Sequence, residues 1–288
     1  MSVTPPATMT RTVLAWVVER VDAGERVAMA SVISASGSVP GKPGARLAIS
    51  SNGGKCGTVG GAGLEMTVEN ALRELLDIPK NDTRKIGGRI ETFLLHKDGK
   101  GQEVVALDSL CGGRVTVAME VVEPVPHLLI CGGGHVGRSV AIVCETLDWK
   151  HSVFDVRGEY ANRERYPLAE EIHNCSVSDF FDSGEGESVS RFSDILILGH
   201  DWEIDQNFLI GSLRRNASRN TRIGVIGSRT KWKGFRAAAV EAGIGEETLT
   251  SARCPIGLDI GADSPEEIAI AICAEILAMD RLPGAAED

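Results

Sequence analysis

Leu128-Leu129-Ile130-Cys131 reads as a buried strand, and Gly132-Gly133-Gly134-His135-Val136-Gly137 follows it without a break. That juxtaposition restricts this part of the chain to a strand–turn–helix unit. The G-x-G-x-x-G spacing has a physical reason at each glycine. Gly132 permits the tight turn, Gly134 lets a pyrophosphate approach the backbone, and Gly137 lets the helix pack on the strand. The helix N-terminus adds unpaired N–H donors and the positive end of its dipole. Asp155 closes the next strand, about 20 residues on, where a carboxylate meets ribose hydroxyls in dinucleotide-binding folds. Arg157, two residues later, suits a 2′-phosphate or another anionic group. The same turn is also compatible with a purely geometric role, or with a different phosphorylated ligand.

From His127 onward, short apolar strands alternate with helices. Strands are expected over His127–Cys131, His151–Asp155, Asp194–Gly199 and Thr221–Ile226, and helices over Gly134–Leu147, from about Glu203, and from Lys231. Strands apolar on both faces and separated by helices form parallel sheets covered on both sides. A Rossmann-like doubly wound parallel-sheet domain is therefore expected over residues 127–288. Ser264-Pro265-Glu266-Glu267 has the cap, first-turn proline and acidic first turn of a helix start. The helix it opens, Ile268–Met279, is apolar nearly all round and is expected to be buried.

Glu123-Pro124-Val125-Pro126 interrupts both the helical and the strand period and marks a linker. Residues 1–123 read as an α+β domain, which makes the chain α/β as a whole. Thr10 is expected to cap a helix through Val21, with Val13, Leu14, Val17, Val18 and Val21 at helical spacing and Gly24 ending it. Val27–Ser34, Arg46–Ser50, Glu91–His96 and Arg114–Val122 read as strands. The glycine- and proline-rich segment 36–44 is a loop, and Leu64 to about Asp77 is a helix led in by Gly60-Gly61-Ala62-Gly63.

Hydrophobic residues make up 43% of the 288 residues and charged residues 24%, the balance of a globular protein. The formal net charge of −10 speaks against nucleic acid or an anionic membrane as main partner, since both require concentrated Lys and Arg. No stretch approaches the ~20 apolar residues of a membrane span, and Met1–Thr10 lacks a basic region followed by an apolar core. A cytoplasmic location is expected. The cysteines (Cys56, Cys111, Cys131, Cys144, Cys175, Cys254 and Cys273) are scattered without a C-x-x-C pair. This suits a reducing compartment better than a disulfide framework or a zinc site.

Further candidates stand at the carboxyl ends of strands, where open α/β sheets bind ligands. His200-Asp201 follows the Ile195–Leu198 strand, and Asp205 lies one helical turn beyond Asp201; helix capping accounts equally well for Asp201. Ser228 and Arg229 follow Val225-Ile226. Arg229 carries a fork that fits phosphate, and Ser228 is a ready cap. His135, inside the glycine turn, faces any phosphate bound there.

Five separated motifs occur in order: Gly57-Thr58-Val59-Gly60-Gly61-Ala62-Gly63-Leu64-Glu65, Leu110-Cys111-Gly112-Gly113-Arg114-Val115, the Gly132 turn with His135, Ile226-Gly227-Ser228-Arg229, and Pro255-Ile256-Gly257-Leu258-Asp259-Ile260-Gly261. Together they resemble the xanthine dehydrogenase accessory (XdhC/CoxI) family, from about Thr10 to Leu277. The resemblance implies an N-terminal XdhC/CoxI-type domain, a Rossmann-like C-terminal domain and a homodimer. It also implies a chaperone that binds a molybdopterin-type molybdenum cofactor, assists its sulfuration, and delivers it to a xanthine dehydrogenase-like molybdenum hydroxylase, with a cysteine desulfurase as a candidate further partner. Many members carry Gln-Cys-Cys-Gly-Gly where this chain has Ser109-Leu110-Cys111-Gly112-Gly113, which weakens a two-thiol relay and leaves Cys111 alone.

In that context Cys111, ahead of Gly112 and Gly113, is the candidate for molybdenum contact or sulfur handling, because a thiolate is a soft ligand; a buried, inert thiol is the alternative. Gly57, Gly60, Gly61 and Gly63, with Glu65 opening the next helix, are placed to bring backbone amides to a phosphate or pterin. A tight strand-to-helix connection explains the same residues. The candidate cofactor-binding set is completed by Gly132, Gly134, His135, Gly137, Asp155, His200, Asp201, Ser228 and Arg229. The rival reading is an NAD(P)-dependent oxidoreductase built on the same turn; it lacks a recognisable acid–base pair tied to a substrate pocket. A structural component of a hydroxylase complex is a third.

Overall fold

A computed structural model describes residues 6–78, 88–95, 104–106, 113–183, 189–216 and 221–281. Two units follow one another along the chain, Met1–Pro124 and Val125–Asp288.

The first unit is a sheet with one helix on each face. Helix α1 (Pro6–Asp22) begins ahead of the expected cap, so Thr10 lies inside it. Gly24 ends it in the left-handed region, at φ 83°. Strands β1 (Val27–Gly37), β2 (Arg46–Ser50) and β3 (Lys55–Thr58) precede α2 (Ala62–Leu76), and β4 (Arg89–Leu94), β5 (Val104–Ala106) and β6 (Gly113–Val122) complete the sheet. The six strands run β3-β2-β1-β6-β4-β5, antiparallel except for the parallel β4–β5 pair. Alternation along β1 sorts its side chains. Ala28, Ala30 and Val32 pack with Leu64, Val68 and Leu72 of α2, whereas Val27 and Met29 pack with Val13 and Val17 of α1.

The second unit has strands β7 (His127–Cys131), β8 (Lys150–Phe154), β9 (Ile172–His173), β10 (Asp194–Ile197), β11 (Arg222–Val225) and β12 (Ala252–Arg253). Its helices are α3 (His135–Thr146), α4 (Val177–Asp182), α5 (Trp202–Arg215), α6 (Arg229–Glu241), α7 (Glu246–Leu249) and α8 (Pro265–Arg281). The sheet runs β12-β11-β10-β7-β8-β9 and is parallel throughout. The chain moves outward from β7 to β9, returns to β10 beside β7, and moves outward again. This reversal leaves a crevice at the carboxyl ends of β7 and β10. Leu129, Ile195 and Ile197 face a core with Phe208, Leu209 and Phe235, while Leu128, Ile130 and Leu196 face one with Val140, Cys144, Ile272 and Cys273.

Helix α8 differs from expectation. It buries Ala269, Ile272, Cys273 and Ile276, but Ile270 is 55% exposed and Leu277 38%. Its apolar circumference exceeds what the sheet and α3 cover. Its start is as expected: the Glu267 amide donates to Ser264 Oγ at 3.2 Å, and Glu267 Oε2 accepts from the Asp263 and Ser264 amides.

Two polar networks tie the strand starts together. Asp194, fully buried, accepts from Arg222 Nε at 2.8 Å and Nη2 at 2.7 Å, across a register pair of β10 and β11. Arg222 Nη1 also donates to Asp280 Oδ1 at 2.6 Å, so removing Asp194 leaves Arg222 with that one carboxylate. Asp194→Ala is therefore expected to cost about 2–3 kcal/mol, below the ~3–5 kcal/mol of a fully broken buried pair, read from chemical denaturation midpoints; a loss near zero would mean that Asp280 and solvent suffice for Arg222.

The second network sets a pH dependence. His127 Nε2 pairs with Ser152 Oγ at 2.9 Å, and burial pushes its pKa down to about 4. Glu171 is held down at about 2 by its hydrogen bond to His173, with Arg191 adding to it against burial. An unfolded histidine titrates near ~6.5. Between that value and about pH 4 the unfolded state binds a proton that the folded state excludes. The His127 contribution is thus complete above pH ~6.5 and declines on acidification, by at most about 1.4 kcal/mol per pH unit; loss through Glu171 follows below its ordinary carboxylate range. Denaturation midpoints from pH 7.5 to 4.5 should fall accordingly. His127→Gln should flatten the upper part of that slope, and an unchanged slope would assign it to another group.

Candidate functional site

The glycine turn leaves β7 with Gly132 at φ 113°, where a Cβ would meet the Gly199 amide nitrogen at 2.7 Å. A Cβ on Gly137 would lie 2.2 Å from the Gly132 carbonyl and 3.0 Å from Ile130 Cγ2, so glycine there sets the approach of α3 to its strand. Gly134 instead faces open space. It is the N-cap of α3 and supplies no side chain to the first-turn amides, and His135 beside it is exposed. That end of the helix has the character of an anion site.

A segment beyond β8 folds onto the turn. Gly133 is required because a Cβ there would lie 2.0 Å from the Tyr160 carbonyl. The Gly133 carbonyl accepts from Arg165 Nε at 3.0 Å and from the Tyr166 hydroxyl at 2.9 Å, and the Gly134 carbonyl accepts from Arg165 Nη2 at 3.3 Å. Asp155 locks the other side. Its Oδ2 accepts from the Gly133 amide and Arg157 Nη2, both at 2.9 Å, and its Oδ1 accepts from the Arg157 amide and Nε. Burial opposes ionisation of Asp155, but these hydrogen bonds outweigh it and hold the carboxyl below its usual range. The Arg157 guanidinium lies 4.0 Å over the Tyr160 ring.

A cavity of about 220 Å³ opens at the β7/β10 crevice. It gathers Gly132, Asp155, His200 and Asp201 from the sequence-derived set, together with Arg157 and Asp205. Its apolar lining is Phe154, Val156, Ile204 and Phe208, and Cys131 and Gly199 complete it. Asp201 is also the N-cap of α5, its Oδ1 accepting from the amides of Glu203 at 2.9 Å and Ile204 at 3.0 Å. Burial raises the Asp205 carboxyl above its usual range, opposed by Lys231, whose Nζ lies 2.8 Å from Oδ2. Burial, with Asp205 and Asp155 adding to it, pushes the Cys131 thiol well above its ordinary range, so it is not a reactive thiolate.

The remaining candidates lie elsewhere. Ser228 caps α6 by accepting from the Lys231 amide at 3.2 Å, and both Ser228 and Arg229 lie outside the cavity lining. In the first unit, Cβ atoms on Gly57, Gly60 and Gly61 would meet Arg46 O at 2.3 Å, Pro40 O at 2.7 Å and Pro40 Cγ at 2.5 Å. Those glycines bring the backbone against its own 40–46 segment. Gly113 is likewise closed in by Val39 and Ser36, whereas Gly63 faces open space. Glu65 accepts from Lys55 Nζ at 3.0 Å and from Thr58; the Thr58 hydrogen bond, with Lys55, holds its carboxyl low despite burial. Cys111 and Gly112 lie outside the described residues. Among the described residues the cysteines are unbridged, no group of three or more His, Cys, Asp or Glu is placed to hold a metal ion, and no helix is long and apolar enough to cross a membrane.

Sequence reading missed Tyr160, Arg165, Tyr166 and Lys231. Their partners are distant in sequence, and no local spacing announces them. The apolar lining carried a weak signal, since Ile204 and Phe208 stand one helical turn apart on α5.

The sequence matches the XdhC Rossmann domain over residues 128–276 and the XdhC and CoxI family over residues 20–87. The chain belongs to the XdhC/CoxI family. The Escherichia coli (strain K12) protein YqeB is 29% identical over 251 residues, which make up 87% of this chain and 43% of that protein. A Bacillus subtilis (strain 168) protein described as a probable component of xanthine dehydrogenase is 26% identical over 157 residues, 54% of this chain and 43% of its own length. This XdhC/CoxI chain thus spans less than half the length of either relative. Among solved structures, the match to one described as a xanthine dehydrogenase from Bacillus halodurans covers 99% of this chain and 98% of that one at 18% identity, with a TM-score of 0.47.

The latch on the glycine turn of this XdhC/CoxI chain is open to a paired test. Gly133→Ala drives a methyl group into the Tyr160 backbone and should cost about 1–3 kcal/mol, with faster proteolysis within residues 157–169. Gly134→Ala faces open space and loses only the N-cap preference for glycine, so it should cost less, about 0.5–1 kcal/mol, without faster proteolysis of that segment. Equal melting of both variants would show that the segment does not rest on the turn.

Proposed function

We propose that this XdhC/CoxI chain is an accessory factor for a xanthine dehydrogenase-type molybdenum hydroxylase. It takes a molybdopterin-type cofactor as cargo, holds it for sulfuration and passes it on. The observation that carries the reading is the crevice cavity, in a member of this family, lined by the Phe154 and Phe208 rings and by a buried carboxylate. Those residues suit a flat, hydrogen-bonding ring such as a pterin. Cys111 is assigned the thiol contact with molybdenum or the carriage of sulfur, a cysteine desulfurase the supply of that sulfur, and a homodimer the working form.

A nicotinamide dinucleotide suits the same edge less well. Asp155 has both oxygens engaged by Gly133 and Arg157.

The reading is checked by purifying the protein anaerobically from a host that makes molybdenum cofactor, then measuring molybdenum by elemental analysis and pterin by fluorescence after oxidation. Both are expected with the parent protein, with weaker retention for Cys111→Ala. Calorimetric titration with NAD(H) and NADP(H) is expected to be silent. Preparations devoid of molybdenum and pterin, or tight nicotinamide binding, would overturn the proposal.

A further inference from the structure

A carboxylate in apolar surroundings is costly unless its oxygens have partners. Asp205 is 3% exposed and lines the cavity beside Phe154, Ile204 and Phe208. Lys231 serves its Oδ2, and among the described residues no donor reaches Oδ1. Oδ1 lies on the side of Gly199, another cavity residue, where a Cβ would sit 2.0 Å away. Glycine at 199 is therefore what leaves that oxygen its space. Asp155, the other buried acid of the cavity, is fully occupied by Gly133 and Arg157.

Three properties define an occupant. It presents an apolar, polarisable face, because it lies against Phe154 and Phe208, whose rings meet at 49° with centroids 4.6 Å apart. It is small, because about 220 Å³ admits a fused bicyclic ring and leaves any larger substituent outside. It donates hydrogen bonds, because an ionised carboxylate only accepts: Oδ1 is open, and Oδ2, which serves Lys231, keeps a further lone pair. A ring with two N–H donors side by side answers all three. The adenine edge alternates a donor with a ring-nitrogen acceptor and would set that acceptor against the carboxylate.

We propose that the cavity recognises a 2-amino-4-oxo fused heterocycle, the ring common to pterins and guanine, with Asp205 accepting from its adjacent ring N–H and amino N–H. The accessory-factor reading is needed only to choose pterin over guanine as the source. Asp205 then determines specificity, Gly199 gives it room, and Lys231 holds it in place.

The test is equilibrium binding of the full chain to pterin, lumazine, GMP, IMP and AMP, by ring fluorescence for the first two and calorimetry for the nucleotides. Lumazine and IMP lack the 2-amino group. A site built to pair with a donor rejects analogues without it, so pterin should bind at least ~10-fold tighter than lumazine, and GMP than IMP or AMP if guanine enters at all. Asp205→Asn keeps the volume but sets an amide N–H against the ring donors, and should erase the preference. If that variant does not fold, the ligand series on the parent protein decides alone. Equal binding of pterin and lumazine, or no binding of either, refutes the proposal. Pterin preferred over GMP assigns the site to the cofactor ring, and the reverse order assigns it to a guanine nucleotide. Protein that retains molybdenum and pterin without distinguishing the two free rings would leave the accessory-factor reading standing and this one refuted. Discrimination by protein that retains no cofactor is the opposite result.

Discussion

The Asp155 carboxylate holds the ligand edge of the second unit in its observed form. Taken out of water at the end of β8, it needs donors on both oxygens, and it finds them in the Gly133 amide and in the amide and side chain of Arg157. That fixes the glycine turn from one side. It also draws Arg157 over the Tyr160 ring, and the Tyr160 carbonyl then closes on Gly133 from the other side. Arg165 and Tyr166, from the same segment, take up the turn's carbonyls. Because each contact orients the next, the network acts as one unit rather than as separable bonds.

This lock changes the meaning of the glycine spacing. Of the turn's glycines, Gly132, Gly133 and Gly137 are demanded by the chain's own packing, and Gly134 alone faces open space. The glycines near Gly57 follow the same rule, with Gly63 the open one. Spacing records that a backbone is approached closely. It does not record whether a ligand or another stretch of the same chain makes the approach.

What was legible in the sequence was local. Strands β2 and β7 coincide residue for residue with the expected Arg46–Ser50 and His127–Cys131, because runs of apolar residues bounded by turn signals encode them directly. Strands β9 and β12, two residues each, have no period to detect and exist only because a neighbouring strand offers a free edge. The outward-facing Ile270 and Leu277 illustrate a related limit: the composition of a helix does not reveal how much of its circumference its neighbours cover. Gly132, Asp155, His200 and Asp201 were findable because strand ends converge in any doubly wound sheet. Lys231 reaches Asp205 across a separation of 26 residues, and Tyr160 reaches Gly133 from the far side of β8; only tertiary structure brings such pairs together.

A doubly wound sheet sets where a ligand can bind but not which one. The choice depends on where the crevice keeps an unsatisfied acceptor. In a dinucleotide site that acceptor stands at the end of the second strand, at the level of a ribose. Here Arg157 satisfies the acid at that position, and the acid with an open oxygen is Asp205, on the α5 wall beside Phe154 and Phe208. On the reading proposed above, moving the free acceptor from the strand end to the cavity wall moves recognition from a sugar to a ring. A glycine turn that by itself suggests a dehydrogenase is thereby compatible with a protein that carries a heterocycle and performs no hydride transfer on it.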